Sequence, residues 1–245
     1  MTINDTKKAG LFHRFPWKPV RFVQLFIFIV LIILLSPFLD RTPLLLALLG
    51  VFFLNILLVT LSFAGFGVRR RWLLILLWLL GTAMNIVALQ SANRPFAGTL
   101  EAASDLVSVL LIIICVAMIL RFVLTSREVT VDTIFGAVVA YFLIALAFSS
   151  LYQALAVIEP GSFGMPSHAA MGKGISLNVQ LNYFSFVTIA SLGYGDIVPK
   201  LPPAQMFAIL EAVFGQFYMA VVVAWLVSAL SVNKMENGGG KERID

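Results

Sequence analysis

Long apolar runs separated by polar segments make up most of the sequence after residue 21. Six of these runs are long enough to cross a bilayer whose hydrocarbon core is about 30 Å thick, because an α-helix rises about 1.5 Å per residue. The predicted spans are Phe22–Leu39, Leu44–Phe63, Trp72–Gln90, Leu106–Leu124, Thr133–Ile158 and Ala204–Val232. The pattern therefore predicts an all-α transmembrane protein whose subunit contains six spanning helices.

The segment between the last two spans interrupts this regular spacing. It contains Val179–Ala190, an apolar and aromatic run of 12 residues, which would extend only about 18 Å as a helix. Such a segment is too short to cross the membrane, and membrane-embedded irregular backbone must be buried in protein or line a water-filled cavity. We therefore expect a re-entrant helix that enters and leaves on the same face.

Composition agrees with a membrane protein. Hydrophobic residues make up 60% of the 245 positions and charged residues only 12%, whereas a soluble domain carries about 25% charged residues. This shortage of charge excludes a soluble enzyme and, despite the net charge of +5, a nucleic-acid-binding domain. The single cysteine, Cys115, lies in an apolar run, so neither a disulfide framework nor a zinc site is expected. No cofactor is expected.

The positions of the basic residues predict the orientation of the chain. All but four of the 17 Lys and Arg residues fall in segments that share one side of the membrane; the exceptions are Arg41, Arg94, Lys173 and Lys200. Because cytoplasmic loops carry the excess of Lys and Arg, we expect both termini in the cytoplasm. The expected location is the inner cell membrane, in contact with its lipids. The triplet Arg69–Arg71 is assigned to a cytoplasmic loop.

A glycine-containing strand, TIASLGYGD at 188–196, follows the predicted re-entrant helix directly. A ring of carbonyls that replaces the water around a cation requires consecutive carbonyls directed toward one axis. Alternating left- and right-handed residues provide this, and Gly193 and Gly195 accept a positive φ without a Cβ clash. The Ser191 hydroxyl can add an oxygen at the inner end. The Leu192 and Tyr194 side chains are expected to point backwards and brace the strand.

The stretch 183–199 (YFSFVTIASLGYGDIVP) resembles the pore helix, filter and outer strand of the potassium-channel superfamily. It is most similar to bacterial members with a two-helix ion-channel pore module, here preceded by four extra helices. The resemblance extends over Val129–Val232 and implies a passive ion channel rather than an enzyme. It implies K⁺ as the permeant ion, bound by the filter residues Ser191, Leu192, Gly193, Tyr194 and Gly195. It also implies a homotetramer, since four strands complete such a filter.

These features divide the chain into four segments. Residues 1–21 are predicted to be a cytoplasmic or interfacial segment, 22–128 a four-helix transmembrane domain, 129–232 the pore domain and 233–245 a short cytoplasmic tail. A voltage-sensor helix needs several basic residues. Since Arg121 is the only basic residue of the fourth span, gating by such a helix is not expected.

Four residues near the filter are candidates for supporting it. Asp196 is either a solvated loop acid or a brace behind the filter, and Tyr183, one turn into the re-entrant helix, is a candidate hydrogen-bond donor there. Thr188 lies three residues before Ser191, the first residue of the filter. Glu211 is a carboxylate inside a span, which by default is a functional hypothesis. We expect Glu211 to face the re-entrant helix or the foot of the filter and to be hydrogen-bonded there; direct coordination of an ion is the alternative.

The last span carries further candidates. Gly215 is either a gating hinge, as the resemblance implies, or a site of close helix packing. Gln216, Met219 and Val223 share a stripe at helical spacing, and this stripe either lines the cavity or packs against another helix.

Two alternatives to a potassium-selective channel remain open. Ser191 stands where the family usually has Thr, so it keeps the hydroxyl but lacks the methyl group that limits the rotamers. This departure favours a weakly selective cation channel. The second alternative is a non-conducting regulatory subunit, since the sequence shows no sensor helix and no ligand-binding domain; a ligand gate would then belong to a separate regulatory subunit. A triad of Ser191, His168 and Asp196 lacks the sequence context of a hydrolase, and no enzyme is predicted.

Overall fold

A computed structural model describes residues 21–39, 42–63, 68–90, 96–126, 129–165 and 176–239 of the protein. Within these ranges the chain forms seven helices and two short strands. The helices are α1 (Arg21–Leu39), α2 (Pro43–Phe63), α3 (Val68–Gln90), α4 (Ala97–Thr125), α5 (Val131–Ile158), α6 (Leu177–Ile189) and α7 (Pro202–Gly239), and the strands are β1 (Phe163–Gly164) and β2 (Val198–Pro199). The expectation of a predominantly helical protein is confirmed. Residues 1–20 of the predicted N-terminal segment, His168 and residues 240–245 lie outside the described ranges.

Several of the helices have the length and composition of membrane spans. Helices α1, α4, α5 and the Pro202–Ser228 part of α7 are long and apolar enough to cross a bilayer. The described parts of α2 and α3 include the shorter apolar stretches Gly50–Thr60 and Trp72–Ala88. The protein is thus a multi-pass membrane protein, and the count of six spans stays a prediction.

Three helix boundaries differ from those expected from the sequence. Helix α4 begins at Ala97 rather than at Leu106, so Glu101 and Asp105 lie within the helix. Arg69–Arg71 lie in the first turn of α3, so their assignment to a loop was wrong. Helix α7 continues to Gly239, into the predicted tail. In each case the hydropathy pattern ends at charged or polar residues, whereas the helix continues through them, because hydropathy reports apolar character and not the backbone hydrogen bonds that define a helix.

The largest apolar core joins α1, α2, α4 and α5 and includes Tyr218 and Val222 of α7. Phe22, Leu25 and Ile29 of α1 are buried in it. A β-carbon on Gly136 of α5 would lie 3.2 Å from Val123 Cγ2 and 3.3 Å from Phe22 Cδ2, so glycine permits a close approach of α4 and α1 to α5. The Phe22 N–H donates to Asp132 Oδ1 at 2.9 Å. Asp132 therefore satisfies one of the amide groups that the start of α1 leaves without an intrahelical partner.

A smaller core lies where α5, α6 and the start of α7 meet. It contains Tyr152, Phe163, Leu181, Phe184, Ile197 and Ala204. Strands β1 and β2 pair antiparallel beside it, with Phe163 opposite Pro199 and Gly164 opposite Val198. The Lys200 N–H also donates to the Ser162 carbonyl at 2.8 Å. These contacts join the residues that follow α5 to the residues that precede α7. They therefore hold together the two ends of the segment that contains α6.

Candidate functional site

The segment that follows α6 has an alternating backbone conformation. Helix α6 contains 13 residues, about 20 Å in length, and the Ser191 and Leu192 amides still donate to Thr188 and Val187 carbonyls at 2.9 Å. Beyond that turn, φ is +56° at Ser191, +55° at Gly193 and +77° at Gly195. Leu192 and Tyr194 are absent from the positive-φ residues of the described chain. The positive φ expected at both glycines is present.

The left-handed Ser191 was not expected from the sequence. It is the only non-glycine residue with a positive φ in the described ranges, and that conformation costs an L-residue about 1–2 kcal/mol. Its hydroxyl accepts a hydrogen bond from Gln216 Nε2 at 2.8 Å. The tertiary structure therefore holds a serine in a conformation that its local sequence does not favour.

Asp196 follows the filter segment and is held by two hydrogen bonds. The Tyr183 hydroxyl donates to Asp196 Oδ2 at 2.7 Å, and the Ile197 N–H donates to Oδ1 at 3.0 Å. Tyr183 belongs to α6, so this contact ties the outer end of the segment back to the helix that precedes it. Thr188 differs, since its hydroxyl donates to the Phe184 carbonyl of its own helix at 2.8 Å.

Glu211 joins three helices. Its side chain is fully buried, and the Tyr152 hydroxyl of α5 donates to Oε2 at 2.6 Å. Oε1 is in hydrogen-bond contact with the Ser185 hydroxyl of α6. Ser185 Oγ also lies 2.6 Å from the Ala145 carbonyl oxygen of α5. The expectation that Glu211 faces α6 thus describes its contacts correctly.

The Ser185 hydroxyl has two acceptors within reach. A serine hydroxyl carries one proton and two lone pairs, and Ser185 Oγ is placed to donate to the Ala145 carbonyl and to Glu211 Oε1. Both oxygens of the Glu211 carboxyl group therefore have a hydroxyl partner, Tyr152 at Oε2 and Ser185 at Oε1.

The C-terminal end of α6 is held from two sides. The Tyr141 hydroxyl of α5 donates to the Ile189 carbonyl at 3.0 Å. On the other side, a β-carbon on Gly215 of α7 would overlap this same Ile189 carbonyl oxygen and lie 2.9 Å from Ile189 Cγ1. Gly215 therefore permits close packing of α7 against the end of α6. Its role as a hinge stays a prediction.

Several side chains near the filter are not covered by their own chain. Leu192 is 55% exposed and Tyr194 is 65% exposed, so the expected bracing of the strand by these side chains is not made within one chain. Gln216, Met219 and Val223 are also exposed on α7. The candidate cavity stripe and the filter segment thus present an uncovered surface.

The sequence analysis missed two polar residues of α6. Ser185 contacts Glu211, and Asn182 Oδ1 accepts a hydrogen bond from the Ser149 hydroxyl of α5. Gln153 Nε2 donates to Ser149 Oγ at 3.0 Å, which extends this cluster along α5. Asn182 and Ser185 are three residues apart in a mostly apolar helix, and such spacing places both on one face. That spacing was an available signal for a polar contact with α5.

A short helix followed by a strand of alternating handedness, set between two membrane-length helices, is the arrangement expected of the pore-forming part of a membrane channel. A family model described as "Ion channel" matches residues 173–232, which include α6, the filter segment and most of α7. The chain belongs to this ion-channel family.

Two relatives are similar to part of the chain. Protein LctB from Bacillus caldotenax is 30% identical over 98 residues, which cover 40% of this chain and 72% of the relative. Protein LctB from Geobacillus stearothermophilus is 29% identical over 98 residues, with the same coverage. More than half of this chain therefore has no counterpart in these matches.

Proposed function

We propose that the protein is a potassium-selective channel that conducts K⁺ passively through a filter formed by Ser191–Gly195. The observation that carries this proposal is the backbone of that segment, which alternates in handedness and is exposed in the single chain. Irregular polar backbone at membrane depth is tolerated only where protein buries it or water reaches it. A water-filled axis shared by several copies of the segment satisfies this requirement.

The chemistry of the filter follows from its oxygens. The carbonyls of Ser191, Leu192, Gly193 and Tyr194, together with the Ser191 hydroxyl, replace the hydration shell of K⁺. Helix α6 is a re-entrant pore helix whose C-terminal end precedes the filter. Because the C-terminus of a helix carries a partial negative charge, this orientation favours a cation over an anion in the cavity.

Four copies of the chain complete the filter as a homotetramer. The exposed Leu192 and Tyr194 side chains and the exposed face of α7 with Phe214 and Phe217 are the surfaces that neighbouring copies cover. In this arrangement Gln216, Met219 and Val223 line the cavity below the filter, and Gly215 is the candidate gating hinge.

The remaining regions have proposed roles that follow from charge. The channel lies in the inner cell membrane, and the excess of basic residues in the inner segments orients both termini toward the cytoplasm. Helix α4 carries the single basic residue Arg121, which is too little charge for a moving voltage sensor. The opening stimulus therefore does not act through a charged helix of this chain. A separate regulatory subunit is one candidate for receiving it.

A weakly selective cation channel is the second candidate, and Ser191 favours it because a serine hydroxyl lacks the rotamer restriction of threonine. The test is the flux of Rb⁺ and Na⁺ into liposomes that contain the purified full-length protein, followed by bi-ionic reversal potentials. Rb⁺ or K⁺ flux far above Na⁺ flux supports the proposal, and equal fluxes favour the weakly selective channel. Absence of flux at every potential and pH would identify a non-conducting subunit. Chemical cross-linking of the purified protein tests the tetramer.

A further inference from the structure

We propose that Gln216 is a positioning residue that fixes the Ser191 hydroxyl at the inner end of the filter and thereby contributes to selection among monovalent cations. This inference rests on the proposed function, because selectivity has meaning only for a conducting filter. The proposed function gives Gln216 only a position in the cavity wall. The present inference adds a specific hydrogen bond from Gln216 to the filter residue Ser191.

The geometry brings one amide to one hydroxyl. Gln216 Nε2 lies 2.8 Å from Ser191 Oγ, although the two residues are 25 positions apart in the chain. The contact depends on the neighbouring Gly215, since any β-carbon there would overlap the Ile189 carbonyl oxygen and displace α7 from the end of α6. The Tyr141 hydroxyl holds that same carbonyl from α5 at 3.0 Å. The contacts of Gly215 and Tyr141 with the Ile189 carbonyl therefore position Gln216 next to Ser191.

The chemistry of a hydroxyl explains why this contact affects an ion. The Ser191 hydroxyl has one proton and two lone pairs, and the Gln216 amide occupies one lone pair. The second lone pair stays available to a cation. The amide thus fixes the direction in which the Ser191 oxygen can coordinate.

The same contact compensates for a missing methyl group. Threonine has restricted χ1 rotamers because two heavy atoms are attached to its Cβ, whereas serine has only one. A serine oxygen that changes rotamer adapts to cations of different radius, and the selectivity of such a site depends on the number and geometry of its oxygens. The hydrogen bond from Gln216 restricts the Ser191 oxygen in place of the methyl group.

A double-mutant cycle on the full-length protein in liposomes tests this inference. Gln216→Met keeps the length of the side chain and removes its hydrogen-bond donor, and Ser191→Ala removes the acceptor. We expect each single change to lower the K⁺/Na⁺ permeability ratio by about threefold to tenfold, the range that corresponds to one hydrogen bond. We expect the double variant to have a ratio no lower than that of Ser191→Ala alone.

A rescue and a matched control make the result specific. Ser191→Thr restores the rotamer restriction, so Gln216→Met in a Ser191→Thr background should regain most of the wild-type ratio. Gln205→Met is the same chemical change on the same helix, at a residue whose amide donates to the Lys200 carbonyl at 3.2 Å near the start of α7. We expect this control to leave the permeability ratio unchanged.

The outcomes separate this inference from the proposed function. A wild-type ratio near one would overturn both. A selective wild type in which Gln216→Met has no effect, or in which the two single effects multiply in the double variant, would overturn the role of Gln216 alone. If Gln216→Met assembles but does not conduct, the readout is the difference in melting temperature between K⁺ and Na⁺ buffers. A smaller difference than in wild type supports the inference, and an unchanged difference overturns it.

Discussion

The first four helices and the α5–α7 region are built with different kinds of polar contact. In the α5–α7 region, side-chain hydroxyls reach residues far away in the sequence, with Tyr141 bonded to the Ile189 carbonyl, Tyr152 to Glu211 and Tyr218 to the Ala137 carbonyl. In the first four helices, hydroxyls mostly return to their own helix, as Thr60, Thr82, Ser108 and Thr125 do. The first four helices are therefore held together mainly by apolar packing.

Buried polar atoms sharpen this contrast. Asn55 Oδ1, Trp78 Nε1 and Asp105 Oδ2 are buried without a hydrogen-bond partner in the described part of the chain, and they lie in α2, α3 and α4. Hydrogen-bond networks specify one arrangement of their helices, whereas apolar cores tolerate substitution if volume is preserved. The comparison teaches that the segment 191–195 is placed by directional contacts, while the preceding helices allow more variation.

The largest expected effect is at Gly195, which has a φ of +77°. Gly195→Ala places a side chain in a left-handed conformation that costs about 1–2 kcal/mol, and relief of that strain turns the filter carbonyls. We expect Rb⁺ flux into liposomes to be abolished while assembly is retained.

The control for this change is Gly161→Ala. Gly161 has a φ of +94°, and an added β-carbon would meet no described atom within 4 Å at either glycine. The two changes therefore introduce similar local strain, but Gly161 lies in the loop after α5. Flux should persist in Gly161→Ala, and selective flux in Gly195→Ala would show that residues 191–195 are not the filter.

The next effect compares two buried carboxyl residues that receive the same substitution. Glu211→Leu leaves the Tyr152 and Ser185 hydroxyls without their partner, so we expect unfolding to become easier by about 2–4 kcal/mol. Glu211→Gln keeps the shape of the side chain and one oxygen that accepts a hydrogen bond, so it should lose less than Glu211→Leu. Thermal unfolding in detergent measures both variants. Equal losses for Leu and Gln would show that the hydrogen bonds to Glu211 do not stabilise the protein.

Asp105→Leu is expected to change stability in the opposite direction. Asp105 is buried in α4, and its Oδ2 has no hydrogen-bond partner among the residues described. Replacing an unsatisfied buried polar group by an apolar one removes a desolvation cost. We expect the unfolding free energy to rise by about 1 kcal/mol in the same thermal assay. A loss as large as that of Glu211→Leu would remove the distinction between the two regions.

The smallest effect is expected for Tyr183→Phe, which deletes the hydrogen bond to Asp196 Oδ2. Because the Tyr183 side chain is 37% exposed, we expect a loss of about 0.5–1 kcal/mol, measured as a lower melting temperature in K⁺ buffer. The comparison variant is Thr188→Val, whose hydroxyl bonds only within α6 in the described structure. An equal decrease in both variants would show that the Tyr183–Asp196 bond stabilises the protein no more than a hydroxyl that bonds within its own helix.

The short helix α6 and the positive φ at the glycines that follow it could be predicted because their signals are local. The apolar run Val179–Ala190 corresponds closely to α6 at Leu177–Ile189, since polar residues bound it on both sides. Gly193 and Gly195 adopt positive φ because glycine alone has no β-carbon to clash. The start of α4 was predicted wrongly because Glu101 and Asp105 end the apolar pattern without ending the helix.

The sequence by itself determined that this is a helical membrane protein with a channel-like loop, because hydropathy and backbone permissiveness are properties of neighbouring residues. Only the tertiary structure decided that Glu211 meets Tyr152 and Ser185, and that Gln216 meets a left-handed Ser191. These pairs are separated by 25 to 59 residues. Their contact depends on how α5, α6 and α7 rotate and cross, and helical spacing within one segment contains no information about that crossing.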